Sequence, residues 1–342
     1  MKKFMFFAAA AVVLFASCNK QETASVNDES LQKEMSVLAF NANRSKGYTG
    51  WTSGQTAFEE VADPEATTTK TDRAMRLAVS CDDGVLFTNE AFKKDASDGM
   101  WHATPKKYYP VGQTKFDFLA YSVGTDANYI GEFTGTDKIT MQVGESFYQD
   151  DIIYSANEVN GAQSEAVAMK FGHAQAWINM NLYLKKGTVD GVKFKVNSIT
   201  WKNIKNEGVL TILPSSTVAD VKATCSWSFF GIDAKDVAMD DAHNVLAADL
   251  QIAAADTPTP AELAKLNMLL PAQNHTTFVI NYTIGEGAGA QTFDYEYKTP
   301  ATTTWEAGKK YVYNIGITVY EITVNPSVVA FDIQEAEEID VK

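Results

Sequence analysis

Four histidines (His102, His173, His243 and His275) and three cysteines (Cys18, Cys81 and Cys225) offer the most versatile chemistry in this 342-residue chain. The histidines stand in four separate contexts, with no HExxH or other close ligand spacing, so they predict no metal centre. A Ser-His-Asp arrangement is spatial and needs no fixed order, but no GxSxG elbow marks a nucleophilic serine. Cys81, in "VSCDDG", carries no mark of a nucleophile. Cys81 and Cys225 lie far apart without CxxC spacing and read either as a disulfide or as two buried thiols. Asp233, Asp236, Asp240 and Asp241, in "GIDAKDVAMDDAHN", could offer oxygen ligands to calcium. They lack the order and turn glycine of a dedicated loop, and a solvated acidic loop is expected. Trp51, Trp101, Tyr108, Tyr109, Trp201, Trp227 and Trp305 could stack against sugars. Several stand in strand-like runs, where aromatic rings are expected as core or cross-strand pairs. The residue types thus point to no catalysis, no metal and no cofactor.

Cys18 is a different case. The opening "MKKFMFFAAAAVVLFASCNK" has Lys2 and Lys3, then an apolar run from Phe4 to Phe15 that is too short to span a bilayer. Small residues in "FASC" directly precede Cys18, which resembles a bacterial lipobox with Phe15 where leucine is usual. On that reading residues 1–17 are a lipoprotein signal peptide, cut before an acylated Cys18; the alternative is an ordinary signal peptide cut nearby. Two or more acyl chains on one residue anchor a protein stably to a membrane. The net charge of −14 becomes more acidic still once Lys2 and Lys3 are lost. That excludes a nucleic-acid partner, which needs clustered basic residues, and suits solubility outside the cell.

The elements that position these residues read as strands. Residues 18–34 are polar and aperiodic, a flexible tether. "MSVLAFNAN", Met35–Asn43, is a lone strand-like run ahead of Arg44 and a loose, Gly-, Ser- and Thr-rich segment, residues 45–72. From Met75 onward, short β-branched and aromatic runs alternate with Gly, Asp and Asn turns, which argues for antiparallel sandwiches. The length suggests two domains, 35–165 and 166–342. Residues 231–262 read as a loop insertion, with a short helix at Pro260–Leu266. In "VAMKFGHAQAWINMNLYL" the period-two pattern flips parity at Gly172-His173, which predicts a bulge in one long strand and a structural role for His173. A second flip near Tyr320 predicts another bulge or a crossing between sheets, and Pro326 is expected to break the ladder before a further strand at Val329, Phe331 and Ile333.

Several segments together resemble the fimbrillin family, the subunits of type V pili: the lipobox at Cys18, "SVLAFNANR", "KKYYPVGQTKFDFLAYS", "VAMKFGHAQAWINMNL", "NSITWKNIKNEGVL" and the closing "WEAGKKYVYNIGITVYEITVNPSV". The resemblance implies an all-β protein of two tandem transthyretin-like antiparallel sandwiches, exported as an outer-membrane lipoprotein and displayed at the cell surface. It implies that an arginine-specific protease removes the first strand and that an extended segment of another subunit fills the groove, a form of β-strand addition. Carried onto this chain, the removable strand is Met35, Val37, Leu38, Ala39 and Phe40, with cleavage after Arg44 or, alternatively, Arg73 or Arg76. The donor would be the C-terminal region, with Ile322, Val324, Val329, Phe331 and Ile333. Other pilus subunits, in a homo- or hetero-polymer, and the outer membrane through the lipid anchor are the implied partners, with a host or bacterial surface ligand as a further one. Two other functions are weighed against this one: a tethered glycan-binding lipoprotein using surface aromatics, and an exported hydrolase, for which no catalytic constellation emerges.

Overall fold

The structure, a computed structural model, describes residues 33–40, 75–95, 97–123, 131–135, 137–143, 152–185, 193–218, 220–238, 264–275, 277–299, 303–318 and 322–330. They form β1 (Ser36–Phe40), β2 (Met75–Cys81), β3 (Gly84–Lys94), β4 (Trp101–Ala103), β5 (Lys115–Ser122), β6 (Glu132–Thr134), β7 (Lys138–Val143), β8 (Ile153–Asn160), β9 (Val167–Lys170), β10 (Gly172–His173) and β11 (Gln175–Leu184). These are followed by β12 (Phe194–Ile204), β13 (Gly208–Pro214), β14 (Ala223–Ser228), β15 (Lys235–Ala238), β16 (Ala264–Pro271), β17 (Gln273–Asn274), β18 (Thr277–Ile284), β19 (Gln291–Lys298), β20 (Thr304–Trp305), β21 (Lys309–Ile317) and β22 (Ile322–Ala330). The fold is all-β, as the sequence predicts; among the described residues the only helical turn is a 3-10 segment at Gly287–Gly289. Ala264–Leu266, expected within a short helix, instead begins β16, which pairs with β11.

An eight-stranded sheet, in the order β10-β8-β5-β2-β3-β4-β1-β9, wraps the first core. Its two ends come from one stretch of chain, because β9 pairs with β1 and β10 pairs with β8. That stretch therefore brings the two ends of the sheet together around Val37, Leu77, Phe92, Trp101, Phe116, Phe118 and Met169. β5, "KFDFLAYS", is apolar on both faces for a structural reason: Phe116 and Phe118 face this core, while Leu119 and Tyr121 face a second one. The second core lies against a four-stranded sheet, β14-β13-β7-β6, and includes Ile139, Met141, Leu210 and Ile212. The third core fills a sandwich of β16-β11-β21-β22 and β15-β12-β18-β19.

The expected boundary at 165–166 does not coincide with a change of sheet. β9 and β10 belong to the first sheet, and the β13–β14 hairpin pairs through β13 with β7. Both parity flips are real, but neither is a bulge. At Gly172-His173 the chain leaves the first sheet and enters the third core, where β11 pairs with β16 and β21. Gly172 suits this crossing because a Cβ there would press on Val221 Cγ2 at 3.0 Å. The flip near Tyr320 is a hairpin, with Ile317 opposite Ile322. Pro326 does not break the ladder: β22 runs through it opposite Tyr313. β22 is the edge of its sheet, and an edge strand tolerates a missing N–H that points away from the ladder.

Candidate functional site

β1 lies within a sheet, not beside it. It runs antiparallel to β4, with Ser36 opposite His102 and Val37 opposite Trp101. Its far side runs parallel to β9, from Val37 opposite Val167 to Phe40 opposite Lys170. Its approach is paired as well: the Met35 N–H donates to Lys107 O at 2.7 Å, and the Tyr109 N–H donates to Lys33 O at 3.0 Å. Lys33 and Glu34, expected in a flexible tether, are thus already paired, Glu34 through an isolated antiparallel bridge to Tyr108.

Alternation assigns each residue of this segment a side. Met35 and Val37 are 1% and 0% exposed and join the core of Trp101, Ala103, Val167, Met169 and Phe171, whereas Leu38 is 39% exposed on the outer face. Burial of each such apolar side chain stabilises by about 1.5–3 kcal/mol. On the outer face Glu34 meets two nitrogen partners: its Oε1 lies 2.7 Å from His102 Nδ1, and its Oε2 accepts from Lys106 Nζ at 2.6 Å. The other ring nitrogen of His102, Nε2, lies 3.0 Å from Asp98 Oδ2. Partial burial pushes the Glu34 carboxyl upward, but hydrogen bonds from Lys106 and His102 outweigh it and leave the group below the usual carboxylate range. The same contact raises Lys106. Removal of β1 would expose the facing edges of β4 and β9, the pockets of Met35 and Val37, and a His102–Lys106 notch that has lost the Glu34 carboxylate. An open edge of that kind recruits another strand.

The expected site residues fall into three groups. Met35, Val37, Leu38 and Ala39 are in place in and beside β1, and the backbone of Phe40 completes the ladder. Cys18, Trp51, Arg44, Arg73, Phe331 and Ile333 lie outside the described residues, as do Asp240, Asp241 and His243. The remainder need correction. Arg76 sits inside β2, paired on one side with Ala91 and on the other with Tyr121, so its peptide bond is not the free, extended chain a protease requires. Ile322 is 7% exposed, Val324 packs against the third core, and Val329 pairs with Lys310 in the same strand, so these three are already used by their own sandwich and are not free for donation.

Most of the aromatics weighed as a sugar platform are taken up by the cores. Trp101, Tyr109, Trp201 and Trp305 are all at most 2% exposed. Trp227 is part-buried, its indole N–H donating to Ala174 O at 2.7 Å, which leaves Tyr108 as the exposed ring among the described members. Trp201 instead centres an aromatic cluster, with centroids 4.7 Å from Trp305, 4.8 Å from Phe278 and 5.4 Å from both His275 and Tyr313. The Trp305 N–H donates to the Tyr313 hydroxyl at 3.2 Å, and that hydroxyl lies 3.0 Å from His275 Nε2. Burial pushes the His275 ring down to about 4 and the Tyr313 hydroxyl well up. His173 is buried in β10 opposite Ile153. Cys81 and Cys225 are separate free thiols, and burial raises Cys225 to about 11. Asp236 pairs with Lys202 at 2.7 Å, and no cluster of metal-ligating side chains occurs among the described residues. Sequence reasoning missed Glu34, His102 and Lys106 as a group, because nothing in the sequence links positions so far apart.

A family model described as fimbrillin-like matches residues 42–330, and the chain belongs to that family. Among solved structures, a fimbrial protein from Bacteroides vulgatus is 16% identical, with 75% of this chain and 92% of that one covered and a TM-score of 0.51. A Bacteroides uniformis protein provisionally assigned to cell adhesion is 15% identical, covering 87% of this chain and 99% of its own, at a TM-score of 0.48. A fimbrial assembly protein from Parabacteroides distasonis is 12% identical, covering 88% and 99%, at a TM-score of 0.36. No curated protein sequence matches. At these identities the likeness concerns the fold alone.

Proposed function

We propose that the chain is a structural subunit of a pilus or related surface adhesion fibre, assembled when β1 is exchanged for a strand of a neighbouring subunit. The observation that carries this reading is the seat of β1 between β4 and β9, in a core that it completes from a separate stretch of chain. Arg44 follows this strand and precedes β2, so cleavage there severs β1 from the rest of the sheet without cutting any described strand. Export depends on the leader, residues 1–17, with Cys18 acylated and anchored in the outer membrane until the cut releases the subunit. The donor is the chain beyond Ala330, where β22 ends and Phe331 and Ile333 alternate. Replacement of main-chain hydrogen bonds and two apolar anchors accounts for the affinity of such an exchange.

The test is assembly after arginine-specific proteolysis. The intact chain should remain monomeric, the cut chain should form a ladder of oligomers on native gels, and Arg44→Ala should abolish the ladder. A ladder that persists undiminished in Arg44→Ala contradicts cleavage at that position.

A further inference from the structure

We propose that His102 and Lys106 form a carboxylate-reading notch that sets the register of the strand replacing β1, and that Glu338 of a second copy enters it with Ile339 and Val341 in the Met35 and Val37 pockets. The inference rests on the strand-exchange reading above and specifies which residues the groove selects.

The structure displays the rule in β1 itself. A carboxylate at position 34 reaches His102 and Lys106 on the outer face, and apolar residues one and three places later enter the core. Once β1 leaves, His102 Nδ1 and Lys106 Nζ both lose that carboxylate, His102 keeping only Asp98 on its other ring nitrogen, and an occupant without a carboxylate there does not replace it. The segment "FDIQEAEEIDVK", Phe331–Lys342, carries five carboxylates, Asp332, Glu335, Glu337, Glu338 and Asp340. Glu338 alone has apolar residues at both the first and third positions after it. "EIDV" thus repeats "EMSV" of Glu34–Val37 in the same direction. Ile in place of Met is close to volume-conserving, and Val replaces Val. Asp340 would take the place of Ser36, which lies opposite His102, itself opposite Lys93 of β3. That adds a second carboxylate on the cationic side.

One rival register exists. Run in the reverse direction, Asp332 meets the notch with Phe331 and Val329 behind it. It puts a larger ring into the Met35 pocket, reverses the observed pairing with β9, and takes Val329 out of β22. The forward register also favours a second copy over the chain's own tail. β22 ends opposite Lys309, beside Gly308, whose N–H donates to Gln175 O where the chain has just left β9 and β10. That is the Phe40 end of the groove, and a tail from there would have to travel its whole length and turn back before Glu338 could take the place of Glu34.

The full chain, cut after arginine and freed of its N-terminal segment, is titrated with a synthetic peptide of residues 331–342. The wild-type peptide should bind, Glu338→Gln should weaken it by up to about fivefold, as befits loss of a partly exposed charged contact, and Asp332→Asn should leave it unchanged. Lys106→Glu in the chain should weaken the wild-type peptide similarly, and the Glu338→Lys peptide should recover the loss. Equal binding of wild-type and Glu338→Gln peptides, or a loss confined to Asp332→Asn, overturns the assignment while strand exchange stands. A cut chain that polymerises but binds no form of the peptide overturns it as well. A cut chain that keeps its N-terminal segment seated and binds nothing removes the strand-exchange reading, and this inference with it.

Discussion

β1 and β21 each run between two neighbours, but they are held by different means. β1 is five residues long, anchored by Val37, by Met35 just ahead of it, and by the two contacts of Glu34 with His102 and Lys106 at its leading end. β21 is nine residues long and pairs with β11 along eight positions and with β22 along nine. Its Tyr313 reaches the buried cluster of Trp201, Trp305 and His275. Tyr311 ties it further, donating to Thr304 O and accepting from the Glu306 N–H. An inner strand becomes detachable when its contacts are few, short and drawn from a separate stretch of chain, and permanent when aromatic rings from several strands interlock on it.

The largest effect should come from breaking the permanent half. Trp201 is completely buried and touches four rings, so Trp201→Ala should cost about 3–5 kcal/mol, as large-to-small core changes do. Calorimetry should show the loss in the C-terminal sandwich, with hydrogen exchange around β1 unchanged. Next in size, Met35→Ala should cost about 2 kcal/mol or more. The expected signature is local: faster exchange at the amides of β4 and β9 and quicker release of the N-terminal segment after cleavage.

Acid should separate the two halves as well. The His275 ring, held down to about 4 by burial, stays neutral in the fold, whereas in the unfolded chain it takes a proton near the ordinary 6.5. Its contribution is therefore complete above about pH 6.5 and is lost as pH falls toward 4, on the order of 3 kcal/mol. Melting curves of the C-terminal sandwich between those limits should show the loss, and His275→Gln should flatten it. The smallest effect belongs to the notch. Glu34→Gln removes a half-exposed charged contact and should cost about 1 kcal/mol or less, measurable as a modest gain in the release rate of β1.

Much of this organisation was legible in the sequence, because period-two patterns report which face a residue takes. The all-β class, the isolated strand before Arg44 and the parity flips at Gly172 and Tyr320 all follow from that. Alternation does not name a partner strand, however. The flip at Gly172 was visible, while its meaning, a crossing from one core to another, depends on pairings with Ile153 and Leu270 that no local pattern encodes. The same limit hid the β13–β14 hairpin's attachment to β7 and the meeting of Glu34 with His102 and Lys106. The tryptophans show the converse. Their strand context already pointed to the interior, and the structure places Trp101, Trp201 and Trp305 there.

The exchange of β1 is tested most directly by mass spectrometry and hydrogen exchange on the polymer recovered from cells. If the account holds, its subunits begin at Ser45, and the amides of Trp101–Ala103 and Val167–Lys170 are as protected as in the uncut chain, because a neighbour's strand has replaced the one removed. Subunits that retain Met35–Phe40 in the polymer, or that lack it while β4 and β9 exchange freely, would contradict it.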